Sequence, residues 1–263
     1  MLEKIAIKNR PVKVFITGAT SGIGESLARQ YAKKGATLGL VGRRLELLRL
    51  IKSKITTPCD IYVADVTDQK KLQKAANHFI KKYGAPDIVI ANAGVSTGTL
   101  AGEKRDLHTF KRVVEINLFG VIHTFLPFIK VFKKQKSGQL VGISSVAGIR
   151  GLPGSGAYST SKAALINYLE SLRIEMKPLG IHVTTIAPGY IHTPMTKDNR
   201  YAMPFILDAD DAASRFMKAI KNKKRFIIIP WQMNIVAILM KFLPPFIWDF
   251  LAKGGAKKAR KMI

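Results

Sequence analysis

The stretch VKVFITGATSGIGESLARQYA, residues 12–32, joins a strand, a glycine-rich turn and a helix in one short run. Val12–Ile16 has the β-rich composition of a strand, and "ESLARQYAKKG" is a helical pattern closed by Gly35. Between them, Thr17–Gly24 contains Gly18, Gly22 and Gly24. Small residues in such a turn let the backbone approach a pyrophosphate, whose charge the free amide N–H groups and the helix dipole favour. Thr17, Gly18, Ser21, Gly22, Ile23 and Gly24 are therefore candidate phosphate-binding residues. Glycines alone would also serve a sharp strand–helix turn, so the rest of the chain has to decide.

Downstream, strand-like and helix-like segments alternate. "ATLGLVG" is followed by "RRLELLRLIKSKI", "CDIYVADV" by a helix to about Tyr83, and "DIVIANAG" by a long helix around 105–134. "GQLVGISS", a helix opened by Tyr158, "IHVTTIAPG" and a helix near 209–222 complete the series. Near-continuous apolar strands alternating with helices predict a parallel sheet covered on both faces, a single doubly wound α/β domain of Rossmann type. Residues 1–225 are the expected catalytic domain, and 226–263 an apolar and basic C-terminal extension.

A chain of 263 residues, 47% hydrophobic, can bury a full core. The lone Cys59 excludes a disulfide framework and a CxxC pair. No histidine has the spacing to carboxylates or cysteine that a metal site needs. The N-terminal residues lack the apolar run of a secretory signal, so a cytoplasmic protein is expected. The net charge of +26 suits anionic partners, meaning phosphate-bearing cofactors or acidic headgroups. Nucleic acid is not expected, because no matching fold or aromatic–basic recognition motif accompanies the charge.

The spacing Thr17-Gly-x-x-x-Gly-x-Gly24 resembles the glycine motif of the short-chain dehydrogenase/reductase family, and further motifs extend the resemblance over roughly 12–195. It implies an oxidoreductase that passes a hydride between a nicotinamide cofactor and a carbonyl or alcohol. In this architecture the end of the second strand meets the adenosine ribose, where an acid selects NAD and an arginine attracts the 2′-phosphate of NADP. Gly42 occupies the acidic position here, followed by Arg43 and Arg44, so NADP(H) is the expected cofactor. The resemblance further implies that Asp65 and Val66 edge the adenine and that Asn92, Ala93 and Gly94 line the cofactor strand.

Tyr158 and Lys162 stand four apart, so phenol and ammonium share one helix face. The resemblance assigns catalytic roles to this pair, to Ser145 thirteen residues upstream of the tyrosine, and to Asn117. On that reading Tyr158 donates the proton, Ser145 hydrogen-bonds the substrate oxygen, Lys162 lowers the tyrosine pKa and holds the nicotinamide ribose, and Asn117 holds a water that links Lys162 to solvent. The segment "APGYIHTPM" implies cofactor contacts from Pro188, Gly189, Ile191 and Thr193. Residues 194–207 are then the expected substrate lid, with Met195 and Tyr201 beside Ser145 and Tyr158 at an apolar substrate.

In the extension, Trp231 and Trp248 lie among apolar residues with lysines alongside, and Pro244 and Pro245 break the run short of a membrane span. Peripheral attachment to an anionic membrane surface and packing against another subunit of a homodimer or homotetramer both fit it. A non-catalytic NADP-binding regulatory or scaffold protein is the alternative to an enzyme, and the complete Asn117, Ser145, Tyr158 and Lys162 set argues against it.

Overall fold

Val14 and Ile16 point from strand β1 (Lys13–Thr17) to one side of the sheet and Phe15 to the other, and all three are buried. A strand apolar on both faces has to be covered on both, which is the condition of a parallel α/β sheet. The computed structural model describes residues 10–199, 201–253 and 259–260. The N-terminal stretch expected to carry no secretory signal (1–9) and most of the basic run closing the tail (254–258 and 261–263) lie outside them.

Seven parallel strands form the sheet in the order β3-β2-β1-β4-β5-β6-β9. They are β1, β2 (Thr37–Gly42), β3 (Cys59–Val63), β4 (Ile88–Ala91), β5 (Gly138–Ile143), β6 (Ile181–Pro188) and β9 (Phe226–Ile229). Helices α1 (Gly22–Lys33), α2 (Leu45–Ser53) and α7 (Ala209–Lys221) cover one face through Leu27, Leu48 and Phe216. Helices α3 (Gln69–Tyr83), α5 (Gly120–Gln135) and α6 (Gly156–Met176) cover the other, where Phe15 sits between Phe79 and Phe128 with ring centres 5.6 and 4.9 Å away. The expected doubly wound fold is the one observed. Its order reverses between β1 and β4, which opens a crevice at their C-terminal ends.

Three features differ from the sequence reading. The long helix around 105–134 is α4 (Leu107–Val114) and α5 joined through a wider π-type turn, Glu115–Phe119, with Asn117 inside it. A short ladder, β7 (Ile191–His192) with β8 (Leu207–Asp208), ties the two ends of the expected lid together. The boundary expected at 225/226 falls at the start of β9, which pairs in register with β6 from Thr185↔Phe226 to Pro188↔Ile229. Its three consecutive isoleucines run without a polar break into the apolar tail, so periodicity could not separate strand from extension.

The tail continues as α8 (Trp231–Phe242) and α9 (Pro245–Lys253). Met233 and Ala237 of α8 pack on Val146, Ala187 and Ile228. Arg150 Nη1 donates to the Met240 and Leu243 carbonyls, both at 2.6 Å, and its guanidinium lies 5.0 Å from the centre of the Trp248 ring. Among the described residues, the helical stretch long and apolar enough to cross a membrane is 104–135, which is partly buried in the domain; neither tail helix reaches that length.

Candidate active site

The turn after β1 is drawn against the end of β4. Gly18 has φ +69°, and a Cβ there would stand 2.7 Å from the Ala93 Cα. A Cβ on Gly24 would stand 2.2 Å from the Gly18 carbonyl oxygen, so side chains are excluded where α1 meets the turn. Asn92 Nδ2 donates to the Thr17 and Gly18 carbonyls at 3.3 and 3.1 Å, fastening β4 to the turn. Ser21 begins the helix in extended conformation, and its own side chain makes no capping bond to the amides behind it. Those amides and the positive end of the helix dipole face the cleft, a setting made for an anion.

At the far end of the cleft, β2 finishes at Gly42, where a Cβ would stand 2.4 Å from the Thr20 methyl. A side chain at 42 therefore collides with the turn unless Thr20 moves. Arg44 Nη2 donates to the Thr20 and Ser21 hydroxyls at 2.9 and 3.1 Å, so its charge is held over the turn. Arg43 is exposed and stands 3.6 Å from an Asp65 carboxylate oxygen. Burial alone would push the Asp65 carboxyl up. The Thr67 amide and hydroxyl at 3.0 and 2.9 Å, with Arg112 and Arg43, hold it below the usual range. Asp65 is thus a charged hub at the rim, with Arg112 as the partner that sequence reasoning missed.

Ser145, Tyr158 and Lys162 line the middle of the same cleft. Ser145 follows β5 and its Oγ accepts from the Ala147 amide at 3.1 Å, which fixes the serine at the head of a single 3₁₀ turn. Burial pushes the Tyr158 phenol above its ordinary value, and a hydrogen bond with Ser145 acts in the opposite direction. The interaction that lowers the phenol in the protein alone is this hydrogen bond with Ser145, and burial outweighs it. Lys162 is itself buried, which lowers its pKa to about 8; its Nζ donates to the Ile143 carbonyl at 2.8 Å.

Asn117 is fully buried. Its Oδ1 accepts from the Val95 amide at 2.8 Å, while Nδ2 donates to the Val95 carbonyl at 2.9 Å and to Ser161 Oγ at 3.0 Å. These bonds join the π-type turn to the strand end after β4 and to α6, and rings of that kind recur where a helix serves a site. A Cβ on Gly94 would lie 3.2 Å from Asn117 Oδ1 and 3.5 Å from Lys162 Nζ, so a side chain at 94 would crowd both polar groups.

Pro188, Gly189, Ile191 and Thr193 form the wall beyond β6, and Met195 joins them. Thr196 Oγ1 donates to the Ile191 carbonyl at 2.6 Å and accepts from the Thr193 amide at 3.1 Å, folding the start of the lid into a compact turn. Tyr201 packs its ring 6.2 Å from that of Tyr190, and burial, with smaller contributions from Tyr190 and Tyr158, pushes its phenol above the ordinary value.

Gly18, Ser21, Gly22, Ile23, Arg43, Arg44, Asp65, Val66, Asn92, Ala93 and Gly94 all border the cleft, as do Ser145, Tyr158 and Lys162. Four expected residues do not form its lining. Thr17 is fully buried within β1, Gly24 lies behind the turn, Asn117 acts from behind Gly94, and Tyr201 stands off toward Tyr190. Thr20, Val95 and Thr196 border it without having been singled out. Thr20 is an unspecified position of the glycine motif, and Val95 and Thr196 directly follow the two other motifs, where only the folded backbone shows which way a side chain points.

A sequence model described as short chain dehydrogenase matches residues 12–203. The chain is 32% identical over 244 residues to an uncharacterized oxidoreductase of Myxococcus xanthus, covering 90% of this chain and 95% of that one. It is 34% identical over 250 residues to an "11-beta-hydroxysteroid dehydrogenase-like 2" protein of Arabidopsis thaliana, covering 90% and 79%. In fold it matches a short chain dehydrogenase of Burkholderia cenocepacia solved in complex with NADP, with TM-score 0.81 and 21% identity over 92% of this chain and 98% of that one.

Proposed function

The chain belongs to the short-chain dehydrogenase/reductase family, an oxidoreductase by that membership, and we propose that it is an NADP(H)-dependent carbonyl reductase or alcohol dehydrogenase acting on an apolar substrate. The observation that carries this reading is the convergence of Ser145, Tyr158 and Lys162 on the cleft that begins at the glycine turn.

The residues fit a nicotinamide dinucleotide: the approach of Gly18 to Ala93 leaves the turn bare of side chains, and the helix amides behind Ser21 receive no capping bond from its side chain. Gly18, Ser21, Gly22 and Ile23 would hold the pyrophosphate, Asp65 and Val66 the adenine, and Arg43 with Arg44 the 2′-phosphate. Asn92, Ala93, Gly94, Pro188, Gly189, Ile191 and Thr193 would border the nicotinamide half, and Lys162 its ribose. The bare Gly42 and the two arginines favour NADPH over NADH, and the NADP complex of the Burkholderia protein is in keeping with that choice. When bound, the cofactor supplies or accepts the hydride.

Reduction builds negative charge on the substrate oxygen, which needs a donor and a proton. Ser145 offers the donor and Tyr158 the proton, since burial keeps the phenol protonated at neutral pH. Lys162, charged below about pH 8, stabilises the phenolate left behind. Proton return would pass through Lys162, beside which Asn117 stands behind Gly94. Met195 in the cleft wall favours an apolar substrate, and the steroid dehydrogenase-like name of the Arabidopsis relative lies in the same direction.

Oxidation of NADPH and of NADH, followed against carbonyl compounds of graded chain length, tests the reading. Rates that rise with apolar chain length and favour NADPH would support it. Coenzyme binding without turnover on any carbonyl would favour the non-catalytic alternative.

A further inference from the structure

Helix α8 is apolar on two opposite faces. Met233, Val236, Ala237 and Met240 pack inward against the domain. Trp231, Ile235, Ile238 and Phe242 recur at positions i, i+4, i+7 and i+11, and they are 66, 51, 50 and 75% exposed. Phe246 and Phe250 of α9 carry the apolar surface on at 73 and 80% exposure. The inward face is covered by the domain, and a contiguous exposed patch of aromatic and aliphatic residues on the other marks a surface that something covers.

Charge chooses the occupant. The chain carries 43 Lys and Arg against 17 Asp and Glu, so a second copy would bring its own +26 to the contact. An anionic bilayer instead complements that charge. Lys241 and Lys253 are exposed within the same helices, and residues 253–263 contain five Lys or Arg and no acid. Both tryptophans of the chain lie in this tail, and this residue type favours the lipid–water boundary.

We propose that the outer face of α8, continued by Phe246 and Phe250, docks on an anionic membrane surface while the inner face stays packed on the domain. The helix lies in the plane of the headgroups rather than spanning, since its twelve residues are too few to cross. The face lies close to the site: a Cβ on Gly189, a cleft residue, would stand 2.6 Å from Met233 on the opposite side of the same helix.

Flotation of the full chain with vesicles of phosphatidylcholine and phosphatidylglycerol in equal parts tests this, alongside Ile238→Glu/Phe242→Glu and vesicles of phosphatidylcholine alone. Wild type should float with the mixed vesicles, and the variant's partition coefficient should fall by at least about tenfold. The variant's NADPH turnover on a water-soluble carbonyl should match wild type, which reports an intact fold. Equal flotation of variant and wild type would overturn the proposal, as would equal recovery on uncharged vesicles. Failure of wild type to float, with a dimer that the variant breaks into monomers, would assign the face to a second copy instead.

Discussion

Lys162 holds its ammonium 5.8 Å from the centre of the Tyr158 ring while donating to the Ile143 carbonyl at 2.8 Å. The strand end therefore fixes the cation, and the cation stands beside the phenol without bonding to its oxygen in the protein alone. Removing the phenol oxygen tests the centre most directly. Tyr158→Phe should lower kcat for carbonyl reduction by about 10²–10⁴-fold, the range typical of a lost general acid. Its affinity for NADPH, read by fluorescence titration, should stay within a few-fold of wild type; undiminished turnover would remove Tyr158 from the chemistry.

The lysine also sets a pH dependence. In the proposed mechanism its charged form stabilises the phenolate, so kcat/KM for reduction should decline as pH rises through about 8. Lys162→Arg, which keeps its charge there, should be slower overall yet lose that decline.

Stability should follow the same group. A lysine with a folded-state pKa of about 8 against a reference of 10.5 binds fewer protons folded than unfolded between those values. Its burial is therefore most destabilising below pH 8, and the penalty fades as pH rises toward 10.5. Denaturant unfolding of wild type and Lys162→Met should show a stability difference that shifts in favour of wild type across this window. A difference constant with pH would show that the folded-state pKa is not depressed.

Coenzyme choice should divide between two positions. Arg43→Ala removes a guanidinium that is 3.6 Å from Asp65 and exposed, a pairing worth little, so the fold should tolerate it. Its kcat/KM with NADPH should drop about 10–100-fold, as expected for a charge-assisted contact worth ~1.5–3 kcal/mol, with NADH little changed. Gly42→Asp alone should perform poorly with either coenzyme because of Thr20, and pairing it with Thr20→Gly should rescue NADH. Rescue in the absence of the second change would show that Thr20 yields freely.

Backbone crowding at the turn gives a structural prediction. Gly24→Ala sets a methyl against the Gly18 carbonyl and should lower stability by about 1–3 kcal/mol, read by urea unfolding, with weaker NADPH binding. A variant as stable and as tight-binding as wild type would show that the turn has room.

Much of the fold and of the cleft is legible in the sequence. The alternation of apolar runs and helices predicts the sheet, and Ser145, Tyr158 and Lys162 fall in one cleft because strand ends and helix starts meet at the same edge. What was not readable depends on side-chain direction and on contacts across the chain. Nothing local in "VVEINLFG" marks the π-type turn, since it is held by Asn117 bonding to Val95 at 2.8 and 2.9 Å. Phe226–Ile229 looks like the start of an apolar tail until the edge of β6 is available to pair with it. Arg112, near the end of α4, becomes part of the rim only through Asp65, 47 positions earlier.

Arg150 lies five positions beyond Ser145 and grips the C-terminal end of α8 through the Met240 and Leu243 carbonyls. The loop that carries Ser145 and the C-terminal tail thus share a rivet. The tail cannot peel away as a body without freeing that guanidinium, and a shortened chain that keeps every strand has to end after Ile229 rather than before Phe226. Trimming the extension is therefore an operation on the wall of the cleft, and turnover of a small soluble carbonyl becomes a gauge of how firmly that wall is seated.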